Sequence, residues 1–341
     1  MEYRRVGDSD LTVSAIGFGT ASFGGNTEFY RAWGQTDVDE ARRLIDVSLE
    51  AGVTLFDTAD SYSFGLAEET LGKAIEGRRE KLLISTKASF RTGSGPDDIG
   101  SSRRHLVPAL ESSLRRLGTD HVDLWSMHGF DSFTPIEETL KVLDDVVRAG
   151  KVRYVGCSNF SGWQLMKSLA LAGEHGWPKY IAHQAYYSLV SRDYEWELMP
   201  LATDQRIGTV VWSPLAGGQL SGKMTREQSA PSDSRVGTLG MRPGMAREQF
   251  YDVVNELQRV ASEAGRTVSQ VALNWVLRRP TVSSMIIGAR NEMQLKESLG
   301  ATAFTLSPDQ VARLDKISDR TPAYPYWHQR TIYGERNPPP V

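Results

Sequence analysis

Asp57, Tyr62, Lys87 and His128 are four side chains that together can move a proton at neutral pH. A phenol with an ordinary pKa of about 10 is a poor acid–base group on its own. An ammonium beside it favours the phenolate and lowers that pKa, and Lys87 can supply one. A buried lysine in turn needs a counter-charge, a role that suits Asp57. His128 can hydrogen-bond a substrate oxygen and orient it. The chemistry such a set suits is proton transfer to or from a substrate oxygen. Tyr62 is the candidate general acid, and the general base in the reverse direction.

The four are delivered by similar elements. VTLF leads into Asp57 and the loop DTADSY, KLLIST into Lys87, and VDLWSM into His128. Short apolar runs of this kind read as strands, and in a parallel sheet or barrel the strand ends share one face where the four can converge. Strand patterns fall at 14–18, 53–57, 81–87, 121–127, 151–157, 180–185, 207–212 and 283–287. Helix patterns fall between them at 37–51, 65–76, 101–117, 135–149, 161–173, 194–205 and 267–279. Thr36 and Asp37 can cap the first helix and Gly52 end it, while Pro135 and Gly150 bracket the fourth. Eight alternating units predict a closed (β/α)8 TIM barrel, with an open doubly wound sheet as the competing architecture. No composition break divides the chain, so residues 1–341 read as one barrel domain. Its additions are an N-terminal hairpin at about 1–13, a Gly-, Ser-, Pro- and Arg-rich flap at about 214–245, and a C-terminal loop at about 320–341. A helix near 246–264 precedes the last barrel strand.

Composition narrows the function classes. The chain has 341 residues, 40% of them hydrophobic and 24% charged, which suffices for a substantial core. A net charge of −3 without a basic run argues against nucleic acid or an anionic membrane as the main partner. MEYRRVGDSD has no signal-peptide core, no apolar run reaches membrane-span length, and the single Cys157 has no partner for an internal disulfide. These features predict a reducing, cytoplasmic setting. Histidines 105, 121, 128, 175, 183 and 328 show no ligand spacing, so no metal site is expected. No GxSxG is present.

Two glycine-rich stretches mimic nucleotide motifs. GFGTAS begins as GxGxxG but ends in Ser22 and opens no helix, which weakens a Rossmann reading. GGQLSGK, 217–223, fits GxxxxGK, yet Met224 replaces the magnesium-binding Ser or Thr, which weakens a P-loop reading. The second stretch makes better sense as a flap whose amides and Lys223 wrap a pyrophosphate.

The ordered set GFGTASFGG, DTADSY, STK, MHGFD, GCSNF, QAYYSL, WSPLAGGQLSGK and IIGARNEMQLKESLGA resembles the aldo-keto reductase superfamily over nearly the whole chain. The WSPLAGG segment is similar to branches that contain bacterial general reductases and potassium-channel β subunits. The resemblance implies Asp57, Tyr62, Lys87 and His128 as the catalytic tetrad, and an NADP(H) cofactor. It implies Gly19, Thr20 and Asp57 among the cofactor contacts, Ser158, Asn159 and Gln184 around the carboxamide, and Trp212 stacked on the nicotinamide ring. Ser213, Pro214, Leu215, Gly217, Lys223 and Arg235 would follow the pyrophosphate, and Gly288, Arg290, Gln294 and Ser298 the adenosine phosphate. Arg290 favours NADPH over NADH, because a guanidinium can grip a 2′-phosphate. Ser298 departs from the asparagine common there. Trp33, Tyr62 and His128 are the expected substrate pocket, with Phe64, Trp125, Tyr324 and Trp327 as further aromatic walls that suit both aryl aldehydes and sugars. The implied activity is NADPH-dependent reduction of an aldehyde or ketone to the alcohol. The alternative is a cofactor-binding regulatory subunit with little turnover. The partner expected is a small carbonyl compound, and a homo-oligomer stays open.

Overall fold

A computed structural model describes residues 1–232, 234–240, 244–336 and 338. Among these residues ten strands form. β1 (Tyr3–Arg5) and β2 (Thr12–Ser14) form the antiparallel N-terminal hairpin. β3 (Ile16–Gly19), β4 (Leu55–Asp57), β5 (Leu83–Ala88), β6 (Val122–Met127), β7 (Val152–Ser158), β8 (Ala182–Tyr186), β9 (Gly208–Trp212) and β10 (Val282–Ile287) close into a parallel barrel in chain order, with β10 returning to β3. Helices lie between the strands, so the fold is a (β/α)8 TIM barrel.

The caps act as the local sequence requires. Asp37 accepts from the Glu40 amide at 2.9 Å to start the helix Val38–Glu50. Gly118 and Gly176, both left-handed, end the helices Arg103–Leu117 and Gly162–His175.

Alternation along the strands sorts the side chains into two layers. On β4 and β5, Leu55, Leu83, Ser85 and Lys87 take the barrel side with Asp57, whereas Phe56, Ile84 and Ala88 join the layer packed under the helices. The lower interior holds Leu55, Leu124, Ala182, Val210 and Ile286 in one cluster with Val6, Leu11 and Val13 of the hairpin. The hairpin therefore plugs the N-terminal end of the barrel. Each of its buried aliphatic side chains contributes about 1.5–3 kcal/mol relative to exposure. Gly7 is required at the plug, since a Cβ there would strike the Arg206 carbonyl and φ is +58°.

The structure departs from expectation in several places. The segment 194–205 divides into a 3-10 turn, Asp193–Glu195, and a helix, Leu198–Gln205. The flap contains a 3-10 turn at Ala216–Gly218 and a short helix at Arg235–Leu239, while positions 233 and 241–243 of it lie outside the described residues. The C-terminal segment is not all loop: Tyr326–Tyr333 is helical, and 337 and 339–341 lie outside the described residues. Helices Glu292–Leu299 and Pro308–Ser318 also form, the second with a Ser307/Gln310 capping box. Trp125 does not line the mouth. It is fully buried in the layer between β6 and the helices, because its strand position alternates with the inward Leu124. Among the described residues, no helix is long and apolar enough to cross a membrane.

Candidate active site

The register brings the polar residues to one rim. Gly19 pairs with Asp57, Asp57 with Ser85, Lys87 with Ser126, and Ser158 with Gln184. Asp57, Lys87 and Gln184 thus share the interior near the C-terminal strand ends, the end where such barrels hold their chemistry. Lys87 is fully buried. Its Nζ donates to Asp57 Oδ2 at 2.6 Å and to the Thr58 carbonyl at 2.7 Å. Asp57 Oδ1 accepts from Ser85 Oγ and from Gln184 Nε2, each at 2.9 Å. The carboxylate is therefore held by three donors on two strands, β5 and β8.

Tyr62 opens a 3-10 turn, Tyr62–Gly65, just beyond β4. Lys87 Nζ lies 5.1 Å from the Tyr62 ring centroid. Burial pushes the phenol up, and the Lys87 ammonium pulls it back while Asp57 pushes it further up. The net direction is above the ordinary tyrosine range. This corrects the expectation of a lowered pKa: burial and the carboxylate outweigh the ammonium, and the phenol stays protonated at neutral pH. Burial opposes the Lys87 charge too, yet Asp57 and Tyr62 outweigh it and hold Lys87 above the usual lysine range. Burial, then the Lys87 charge, drives His128 well below the usual histidine range. The imidazole is neutral and can donate from one nitrogen only. It stacks on Phe90, with ring centroids 4.0 Å apart, and meets Tyr62 edge-on at 5.6 Å. Ser61 Oγ lies 3.5 Å from Nδ1.

A second group of residues forms a face beside the tetrad. Trp212, at the end of β9, is partly exposed, and its ring lies 4.7 Å from that of Tyr186. Its Nε1 donates to Asn159 Oδ1 at 3.1 Å, and Asn159 Nδ2 donates to the His128 carbonyl at 2.9 Å. Asn159 therefore ties the indole to the backbone of His128. Ser158 Oγ donates to the Gln184 carbonyl at 2.9 Å. Ser213 Oγ accepts from the Gly217 amide at 3.1 Å, Pro214 is buried, and Leu215 packs on the core. Lys223 is exposed on the flap.

Residues 15–319 match the Aldo/keto reductase family. The chain belongs to that family. It is 36% identical over 328 residues to the oxidoreductase YrpG of Bacillus subtilis, covering 93% of this chain and 96% of that one. It is equally identical, over 334 residues, to a probable voltage-gated potassium channel subunit beta of Arabidopsis thaliana, covering 95% and 99%. The L-glyceraldehyde 3-phosphate reductase of Escherichia coli K12 is 32% identical over 330 residues, covering 93% and 92%.

In this aldo/keto reductase the rim carries most of the backbone strain. Ser63, Phe64, Ser89, Asn159, Ser213 and Ala216 all have positive φ without being glycine, and all follow barrel strands. The face beside the tetrad suits a nicotinamide cofactor: the Thr20 hydroxyl at the end of β3 is buried with no partner among the described residues, and Trp212 offers a braced aromatic plane. Gly19 and Gly288 lie close together, and a Cβ on Gly288 would come 3.8 Å from the Gly19 carbonyl. Arg290 follows β10 at the same rim. Its guanidinium donates to the carbonyls of Ala32, at 2.7 Å, and Trp33, at 3.4 Å. Gln294 accepts from the Arg290 amide at 3.0 Å, and Ser298 is buried. Trp33 is reached by the flap, since Arg235 stacks on its ring with the guanidinium carbon 3.7 Å from the centroid. Phe64, Tyr324 and Trp327 are exposed.

Four contributors were not foreseen: Ser85, Ser61, Phe90 and the Thr58 carbonyl. Ser85 carries a sequence signal, standing two residues before Lys87 on the same strand and hence on the same side. Ser61 and Phe90 carry none, because their positions depend on loop paths. Among the described residues no cluster of metal ligands occurs.

Proposed function

We propose that the protein reduces an aldehyde or ketone to the alcohol at the expense of NADPH. The observation that carries this reading is the buried Lys87–Asp57 pair with the Tyr62 ring 5.1 Å from Nζ and the His128 ring edge-on to it. A nicotinamide cofactor bound on the Trp212 side supplies the hydride. Trp212, Ser158, Asn159 and Gln184 would hold its nicotinamide end with Gly19 and Thr20. Ser213, Pro214, Leu215, Gly217, Lys223 and Arg235 would hold its pyrophosphate, and Gly288, Arg290, Gln294 and Ser298 its adenosine end. His128 orients the carbonyl oxygen, Tyr62 donates a proton to it, and Lys87 stabilises the phenolate left behind. Asp57 keeps Lys87 charged and fixed. Steady-state oxidation of NADPH with a panel of aryl, sugar and short-chain aldehydes tests the assignment. Absence of turnover throughout the panel would defeat it.

The likeness to potassium channel β subunits favours a second reading, a cofactor-binding regulatory subunit with little turnover. The same assay separates the two: tight NADPH binding without appreciable consumption is the outcome that supports the subunit.

Two further expectations follow from the cofactor assignment. Arg290→Ala is expected to weaken NADPH binding by about 1.5–3 kcal/mol, the range for a charged hydrogen bond, and to change NADH binding little. Calorimetric titration of both cofactors checks this, and equal losses would make Arg290 a brace for residues 32–33 alone. The flap is expected to act as a lid. Saturating NADP⁺ should then slow hydrogen exchange of amides 214–232 far more than that of the barrel strands, and Lys223→Ala should speed cofactor release. Unchanged exchange in 214–232 would leave the barrel rim as the sole holder of the cofactor.

A further inference from the structure

Lys87 and Asp57 are placed by the barrel, through bonds across β4, β5 and β8. Tyr62 is not. It stands beyond the end of β4, and the turn that carries it is strained. Ser63, Phe64 and Gly65 follow it directly, all left-handed, with φ of 49°, 53° and 91°. Only the third is a glycine, the residue that takes this conformation without steric cost. Phe64 is exposed, so burial of its own ring does not hold the path. The restraint comes from a different βα unit, the loop 20–36 that follows β3. Asn26 Nδ2 donates to the Ser63 carbonyl at 2.8 Å, and the Tyr30 hydroxyl donates to the Ser61 carbonyl at 2.6 Å. Ser63 Oγ donates to the Phe23 carbonyl at 3.1 Å and accepts from the Gly25 amide at 3.0 Å. The residues on either side of Tyr62 are thus each tied to the same loop. Tyr30 is itself set by the short helix Glu28–Arg31, capped by Thr27, and its ring meets Phe64 edge-on at 6.1 Å. Burial, then the neighbouring Tyr62 and Asp60, holds the Tyr30 phenol above its ordinary range, so it remains a donor through neutral pH.

We propose that Tyr30 and Asn26 are positioning residues for the proton transfer: by clamping the Ser61 and Ser63 carbonyls, they keep the Tyr62 phenol in place beside Lys87 and His128. This rests on the reductase reading above. Both residues act through Tyr62. A strained turn released at either carbonyl relaxes toward ordinary backbone angles and carries the phenol with it. A misplacement of about 1 Å at a reacting group can cost about 10²-fold in rate. The clamp therefore bears on the chemical step rather than on affinity for cofactor or substrate.

The test uses Tyr30→Phe, which removes only the hydroxyl, and Asn26→Ala, at half-buried and exposed positions where the variants should fold. With an aldehyde that the wild type reduces, kcat should fall roughly 10-fold in each and roughly 100-fold in the variant combining them. KM and NADPH affinity should stay close to those of the wild type. The solvent deuterium isotope effect on kcat should rise, because proton donation becomes the slower step. A mere loss of folded enzyme would lower kcat and leave the isotope effect where it was. A double-mutant cycle gives the stricter reading. In a Tyr62→Phe background, adding Tyr30→Phe should cost almost nothing, since the group being positioned is gone. Losses that multiply in the cycle, an unchanged isotope effect, or a fall in NADPH affinity that accounts for the whole change would overturn the proposal. Should the wild type turn over no aldehyde, the reductase reading fails on its own, and hydrogen exchange decides the clamp. In the variant combining Asn26→Ala with Tyr30→Phe, amides 61–65 should exchange faster while those of β4 and β5 keep their wild-type rates. That selective loss supports the clamp, and unchanged exchange at 61–65 overturns it.

Discussion

Tyr62→Phe is expected to cut carbonyl reduction by roughly 10²–10⁴-fold, the usual contribution of general acid catalysis, with NADPH affinity close to that of the wild type. The substitution removes one oxygen and keeps the ring that faces Lys87 and His128. Steady-state kcat with an aldehyde, alongside NADPH binding by fluorescence, measures both parts. A pH profile adds a stricter check. Burial, less the pull of Lys87, leaves the phenol above the ordinary tyrosine range. Reduction needs the protonated phenol, so the rate should hold through neutral pH and fall only as pH rises through that raised value. The proposed acid role would be refuted by near-normal turnover in a folded variant.

Lys87→Met is expected to lose both activity and stability. It leaves Asp57 buried without its cation, and breaking a buried pair from one side typically costs about 3–5 kcal/mol. Ser85 and Gln184 still donate to the carboxylate, which places the cost toward the lower end of that range. Turnover should fall at least as far as in Tyr62→Phe, because the phenolate formed in the reaction would lack its ammonium. Asp57→Asn combined with Lys87→Met should restore much of the stability by removing the orphan charge, and restore none of the turnover. Denaturant unfolding of the two single variants and the double variant isolates the coupling. If Lys87→Met alone proves as stable as the wild type, the pair contributes nothing to the fold.

The strands were legible because apolar runs, each followed by a polar residue, recur along the chain, and β3–β10 each fall within two residues of the expected spans. Asp57, Lys87 and Gln184 converge for the same reason. What escaped depends on forces that a linear pattern does not encode. Trp125 reads as a pocket aromatic until the inward position of Leu124 beside it is known. The net pKa direction of Tyr62 required a balance between burial and two opposite charges. The bonds of Arg290 to the Ala32 and Trp33 carbonyls join residues 258 and 257 positions apart, which no local pattern reveals. The Tyr326–Tyr333 helix was hidden by its aromatic content and by the prolines on either side.

The alternation on β5 acts as a reading frame of two. Leu83, Ser85 and Lys87 face the interior, while Ile84 and Ala88 face the helices and Thr86 bonds Glu68 outside the barrel. Deleting one residue upstream within such a strand would leave its composition nearly unchanged. It would nevertheless exchange the two messages, sending the ammonium into the helix layer and Thr86 to the place beside Asp57. Tolerance to substitution and tolerance to insertion are therefore separate properties of this barrel. A scan of single-residue insertions should find the loops that follow the helices permissive and the barrel strands almost uniformly closed.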